Sequence, residues 1–238
     1  MTLRGRLRSA AKAGRKRGAT WVRLFDTVRL LPTARGRSVL WTRLIHGERV
    51  HQTTPDTGEE RYPTLFDFLA EVMPQARRIL SFGCSTGEEL VSLRRRFPAA
   101  EIVGAEINRR SRRLAAKRTA GDPSTSVVAP ENVRGKFDLV LALAVFQREP
   151  HKIAEMEVED LSPHYPFERF DRAVCELAAV LNSGGLLCIE NAHYRLEDSS
   201  VAATFEPVAG SPERTGLMFG RDGRRLDGTK AGTIFRKR

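Results

Sequence analysis

The chain has 238 residues, 41% of them apolar, enough to bury the core of one α/β domain with an extension. Its net charge of +11 lies wholly in the first fifty residues, which hold thirteen Arg and Lys against Asp26 and Glu48. Three cysteines without paired or metal-type spacing argue against a disulfide framework or a cysteine metal site, and no apolar run is long enough to span a bilayer. The reading is a cytoplasmic protein with no signal peptide, no transmembrane segment and no metal.

Residues 1–50 form a basic extension, expected to contact nucleic acid or an anionic membrane, or to lie over the site as a lid. Met1 to Gly18 carries seven basic residues and almost no apolar face, so it is expected to remain unordered. Trp21, Leu24, Phe25, Val28 and Leu31 recur at helical spacing and predict an amphipathic helix ending at Pro32. Leu40, Trp41, Leu44 and Ile45 suggest a second. Residues 51–62, with Pro55, Asp56 and Gly58, read as a linker or a loop crossing the site.

The domain proper spans 63–238. A helix over Leu65–Met73, capped by Thr64, precedes a short apolar strand at Ile79–Phe82. Then comes Gly83-Cys-Ser-Thr-Gly87, where glycines let backbone approach a ligand, and a helix over Glu88–Phe97 with acids in its first turn. Glu101–Ala105 reads as a second strand and ends at Glu106, nineteen residues past Gly87. An acid about twenty residues beyond such a turn accepts hydrogen bonds from ribose hydroxyls in nucleotide-binding sheets.

A basic helix over Asn108–Thr119 and a third strand at Ser126–Ala129 follow, then Pro130, Glu131 and Asn132. Phe137–Ala142 reads as a fourth strand, and Gln147–Pro166 as a long segment near the carboxyl edge, containing His151, His164 and Tyr165 as candidate substrate contacts. A helix over Phe167–Leu181 leads through a glycine turn into a fifth strand ending near Ile189. Glu190-Asn-Ala-His-Tyr194 then supplies His193 as a candidate general base and Tyr194 beside it. Thr215–Phe219 and Gly232–Arg236 read as an antiparallel C-terminal hairpin.

Taken together, the segment Arg78–Leu90, the acid Glu106, the strand Phe137–Ala142 and the run Val180–Ile189 resemble the class I S-adenosylmethionine-dependent methyltransferases over roughly residues 62–238. The resemblance implies a Rossmann-like seven-stranded, mostly parallel sheet with helices on both faces, an antiparallel C-terminal hairpin and S-adenosyl-L-methionine as cofactor. It implies cofactor contacts from Ser81, Gly83, Cys84, Ser85, Thr86, Gly87, Glu106, Ile107, Pro130, Glu131, Asn132 and Leu143. The family usually has an acid where this chain has Ser81. The wording Cys84-Ser-Thr-Gly-Glu-Glu89 is similar to the chemotaxis-receptor methyltransferases, and that likeness moves the missing acid's role to Glu88.

The expected reaction is methyl transfer to oxygen or nitrogen of a small-molecule or carboxylate acceptor. The alternatives are an RNA methyltransferase or a membrane-associated binding protein working through the basic extension. A third rests on Gly83-Cys-Ser-Thr-Gly87 as a nucleophile elbow, with Ser85, Glu190 and His193 as the triad of a serine esterase.

Overall fold

The computed structural model describes residues 32–52 and 58–238. The expected arm over 1–18 and helix over 21–31 lie outside the described residues. Two compact units meet in sequence between Ile45 and His46. The one described helix of the first unit is α1 (Ala34–His46), whose last residue already belongs to the second, where the spacing of Leu40, Trp41, Leu44 and Ile45 suggested one.

The second unit opens with α2 (Pro63–Val72). Pro63 occupies the first turn, where its missing N–H costs nothing, and Tyr62 takes the cap position expected of Thr64. There follow β1 (Arg78–Phe82), α3 (Glu88–Arg96), β2 (Glu101–Ala105), α4 (Arg109–Arg118), β3 (Thr125–Val128) and β4 (Phe137–Leu143). The Asn108 side chain caps α4, accepting from the N–H groups of Arg110 and Ser111 at 3.0 Å each. The chain continues through α5 (Pro150–Glu155), α6 (Phe167–Val180) and β5 (Leu181–Glu190). The C-terminal part holds the short strands β6 (Phe205–Pro207), β7 (Glu213–Arg214), β8 (Met218–Phe219), β9 (Arg225–Leu226), β10 (Ala231–Gly232) and β11 (Ile234–Lys237).

The main sheet has seven strands in the order β3-β2-β1-β4-β5-β11-β6, parallel from β3 to β5, with β11 antiparallel to both neighbours. This is the Rossmann-like fold. Alternation along β4 explains why helices cover both faces: Phe137, Val140 and Ala142 pack with α5 and α6, while Leu139, Leu141 and Leu143 pack with α2, α3 and α4.

The antiparallel C-terminal strand is present, but its partner is Phe205–Pro207, a three-residue edge strand. Met218–Phe219 instead pairs with Arg225–Leu226 in a separate hairpin. That hairpin is stitched to the 147–166 segment by a bridge between Asp160 and Arg224 and by the Leu161 N–H donating to the Gly223 carbonyl at 2.9 Å.

Strand order reverses between β1 and β4, so connections leave in opposite directions there and open a crevice at the strands' carboxyl ends. Three non-glycine residues with positive φ sit on that edge: Ser85 (+50°) after β1, Ala144 (+57°) after β4 and Asn191 (+49°) after β5. Such conformations cost free energy and cluster where backbone is shaped around a ligand.

Candidate active site at the carboxyl edge of the sheet

The turn after β1 is built by two glycines at positive φ. A Cβ on Gly83 (φ +81°) would lie 2.6 Å from a Val145 methyl, and one on Gly87 (φ +91°) would lie 2.9 Å from the Ala115 Cα of α4. Both N–H groups at the start of the turn, Gly83 and Cys84, donate to the Ala105 carbonyl at the end of β2. Arg118 of α4 grips the other end, donating to the Thr86 carbonyl at 2.9 Å and to the Glu88 carboxylate at 2.7 Å.

Glu106 is buried at the centre of this cradle. One carboxylate oxygen accepts from the Ser85 N–H at 2.9 Å and the other from the Asn108 N–H at 2.6 Å. A carboxylate offers about four acceptor sites, so these two bonds orient the group and leave capacity for further donors. Burial lifts its pKa to about 7, opposed by those same N–H groups and by Arg112. Beside it the Ser85 hydroxyl is buried without a hydrogen-bond partner among the described residues, and a buried polar atom left unpaired in a native site calls for an explanation such as a ligand.

Ser81, where an acid was expected by resemblance, donates through its hydroxyl to Glu89 at 2.7 Å. Glu89 therefore stands beside the position of the missing acid, and Glu88 does not: the Glu88 carboxylate accepts from Thr86 at 2.7 Å and from Arg118, on the α4 side of the turn. Helical phase separates the two neighbours. Leu90, Leu93 and Phe97 mark the sheet-facing stripe of α3, and at about 100° per residue Glu89 flanks that stripe while Glu88 lies on the far side. Burial raises the Glu89 carboxyl to about 7, against the Ser81 hydrogen bond and the positive charge of Arg61. Arg61 lies over the Tyr62 ring, its guanidinium carbon 5.3 Å from the centroid, and the Tyr62 hydroxyl accepts from the Asn191 amide at 2.9 Å. Arg61, Tyr62, Glu89 and Asn191 thus gather at one mouth.

Of the other expected cofactor contacts, Leu143 is buried at the end of β4 and Ile107 is half-buried beside Glu106. Pro130, Glu131 and Asn132 form a short 3-10 turn after β3, with Glu131 and Asn132 exposed. Cys84 is buried, and burial pushes its thiol well up, which makes it packing rather than a nucleophile.

The expected catalytic pair is corrected by its surroundings. His193 is 2% exposed, with Nδ1 facing the Leu217 carbonyl at 3.2 Å and Nε2 facing the Arg148 carbonyl at 3.4 Å. A neutral ring has one N–H and one lone pair, and both nitrogens here face carbonyl oxygens, so no lone pair is presented to a substrate. Burial also lowers its pKa. Tyr194 is fully buried, donates to the Tyr165 carbonyl at 2.5 Å, and is pushed up in pKa by burial. Both side chains stitch the loops together. Tyr194→Phe leaves the Tyr165 carbonyl unpaired and is expected to lower stability by about 1–3 kcal/mol in chemical denaturation, without altering ligand affinity.

The expected substrate contacts divide as well. His151 and His164 lie on the exposed surface of the 147–166 segment, whereas Tyr165 turns into the core. Its hydroxyl meets Nδ1 of His51 at 2.6 Å. His51, which the sequence offered only as the first residue of a linker, packs edge-on against Phe146 (5.0 Å between centroids) and Phe82 (6.5 Å), under the crevice between β1 and β4. Burial, with Arg169 and Arg148 nearby, holds its pKa down to about 3, so it is neutral throughout the physiological range. A lone histidine in a turn-rich stretch has no periodicity to betray it. The esterase triad is not assembled, since the Ser85 hydroxyl has no histidine within hydrogen-bond reach and the His193 nitrogens are engaged elsewhere.

Residues 56–214 match a family model described as a methyltransferase domain. Similar solved structures include a sugar N-methyltransferase from a Streptoalloteichus species, at 22% identity over 66% of this chain and 54% of that one with a TM-score of 0.41. Another is the N-methyltransferase NodS from Bradyrhizobium japonicum, at 16% identity over 73% and 93% with a TM-score of 0.47. A third is the ribosomal protein L11 methylase from Lactobacillus delbrueckii subsp. bulgaricus, at 16% over 76% and 81% with a TM-score of 0.48. This chain spans about half the length of the first of these. No curated protein matches it.

Proposed function

Because the chain belongs to the methyltransferase domain family whose model spans residues 56–214, we propose that it is a class I S-adenosyl-L-methionine-dependent methyltransferase acting on a small-molecule or carboxylate acceptor. The observation that carries this reading is Glu106, a buried carboxylate oriented by the Ser85 and Asn108 N–H groups beside a turn too tight for any side chain at Gly83.

The residues present fit that cofactor. Glu106 retains acceptor capacity for two ribose hydroxyls, and the unpartnered Ser85 hydroxyl lies beside it. Glu89, backed by Ser81, takes the amino group of the methionine moiety, and Arg61, close enough to Glu89 to shift it, takes the carboxylate. By the resemblance, Ile107, the Pro130–Asn132 turn and Leu143 would flank the base. When bound, the cofactor supplies a methyl group already activated as a sulfonium, which leaves the protein the work of alignment.

Proton transfer narrows the acceptor. His193 presents no lone pair and His51, held near 3, accepts no proton at neutral pH. The two histidines buried nearest the crevice therefore favour an acceptor that attacks without prior deprotonation, a carboxylate or an unprotonated amine. The two RNA and membrane alternatives rest on the extension and leave this site unchanged.

The carboxyl of Glu89 gives the reading a pH signature. It must be ionised to hold an ammonium group, and its folded pKa is about 7. Affinity for S-adenosylmethionine is expected to rise between pH 6 and pH 8, by up to about tenfold per pH unit on the acid side of that pKa. Stability runs the other way: the unfolded carboxyl ionises near 4.5, the folded one near 7, so the folded chain holds the extra proton between them and loses stability as pH rises through that window. Glu89→Gln should lower the slope of both profiles, leaving the part contributed by Glu106, whose carboxyl is also raised to about 7, as measured by calorimetry and by thermal melting across pH. An affinity profile as steep in Glu89→Gln as in the parent would remove this residue from the assignment. Transfer of labelled methyl to carboxylate and amine acceptors, with no transfer to alcohols of matched size, tests the acceptor class.

A further inference from the structure

Helix α1 turns three large apolar side chains outward within a single turn: Trp41 is 64% exposed, Leu44 79% and Ile45 52%. Spaced i, i+3 and i+4, they share one face, and the other side of the helix carries the buried Gly36, Val39 and Thr42. Exposed apolar residues scattered singly are ordinary, but three contiguous ones on a helix mark a contact surface.

The charge around that face says what covers it. The thirteen residues of α1 include Arg35, Arg37 and Arg43 and no acid, and exposed Arg37 stands one turn ahead of Trp41 on the apolar side. Nucleic acid would be met by the cations without the apolar triad, since phosphate contacts are electrostatic. A second protein would be met by the triad without such one-sided charge. The headgroup and acyl boundary of an anionic bilayer uses both: apolar side chains, tryptophan among them, enter the boundary while arginines stay at the phosphates. At thirteen residues, roughly 20 Å, the helix is far short of a span and suited to lying in the interface.

We propose that α1 docks the protein on anionic phospholipid bilayers, with Trp41, Leu44 and Ile45 in the acyl boundary and Arg37 at the headgroups. The surface is independent of the cofactor site, so either assignment survives the failure of the other.

The test is cosedimentation of the full chain with vesicles of phosphatidylcholine alone and of phosphatidylcholine with phosphatidylserine. Binding is expected to the anionic vesicles, to weaken with salt, and to be far weaker on the neutral ones. Trp41→Asp with Leu44→Asp should lower partitioning by about a hundredfold or more, and Arg37→Glu by roughly tenfold. Circular dichroism and melting certify the folding of each variant, and Leu44→Ser serves if the aspartates unfold the helix. In a Trp21→Phe background the emission of Trp41 should shift to the blue on anionic vesicles. Equal binding to both vesicle types, binding unchanged in the double variant, or a dimer in solution that the double variant dissociates would each overturn the proposal. So would tight binding to RNA with none to vesicles.

Discussion

Glu106→Ala is expected to weaken S-adenosylmethionine binding by about a hundredfold, the equivalent of losing roughly 3 kcal/mol of charge-assisted hydrogen bonding. The substitution removes the acceptor proposed for both ribose hydroxyls. It also orphans the Ser85 and Asn108 N–H groups, which hold the turn and the start of α4 in register. Glu106→Gln separates the two effects, because an amide keeps the shape and one acceptor but loses the charge, and should weaken binding by less. Stability is expected to move differently. A carboxyl whose pKa is raised to about 7 by burial is costly to keep ionised at neutral pH, so the glutamine variant should melt no lower than the parent at pH 8. Isothermal calorimetry and thermal melting of the same preparations read the two quantities independently. Unchanged affinity in Glu106→Ala would remove the residue from the cofactor site.

The second large effect belongs to the glycine turn. Gly87→Val places a β-branched side chain at φ +91° with its Cβ 2.9 Å from the Ala115 Cα, so α4 itself must move. Overpacking of about 1–3 kcal/mol and about 1–2 kcal/mol for the left-handed conformation together predict a loss of roughly 2–5 kcal/mol. For a domain of this size that is a fall in melting temperature of roughly 10 °C. Gly184→Val is the matched control, since its φ is +76° but nothing lies within 4 Å of an added Cβ. It should lose only the backbone part. Equal losses at the two positions would show that the close approach of α4 contributes nothing.

How much of this was legible in the sequence depends on what each feature needed. The order strand, glycine turn, helix, strand, acid is a matter of spacing along the chain, and the structure places Ile79–Phe82, Gly83–Gly87, α3, β2 and Glu106 as that spacing implied, within a residue or two at each end. Between β3 and β4 the stretch Pro130–Lys136 is too short for a helix of several turns and holds a 3-10 turn. Features set by long-range packing were not legible. The outer neighbour of β11 is a three-residue edge strand whose only distinction is the register it finds, so the hairpin was drawn to the wrong neighbour. His193 and Tyr194 do stand at the carboxyl edge, yet whether a side chain there faces a ligand or a carbonyl is decided by residues 24 to 45 positions away in sequence. Glu89 is the instructive exception, since the phase of Leu90, Leu93 and Phe97 on α3 already favoured it over Glu88.

The cradle of Gly83, Ser85, Glu89 and Glu106 is the proposed seat of S-adenosylmethionine. Calorimetric titration of the full chain with S-adenosylmethionine at pH 8 addresses it most directly. Saturable binding at one site per chain is expected, weakened about a hundredfold in Glu106→Ala and competed by S-adenosylhomocysteine. No binding heat from a folded protein, or binding that Glu106→Ala leaves untouched, would contradict it.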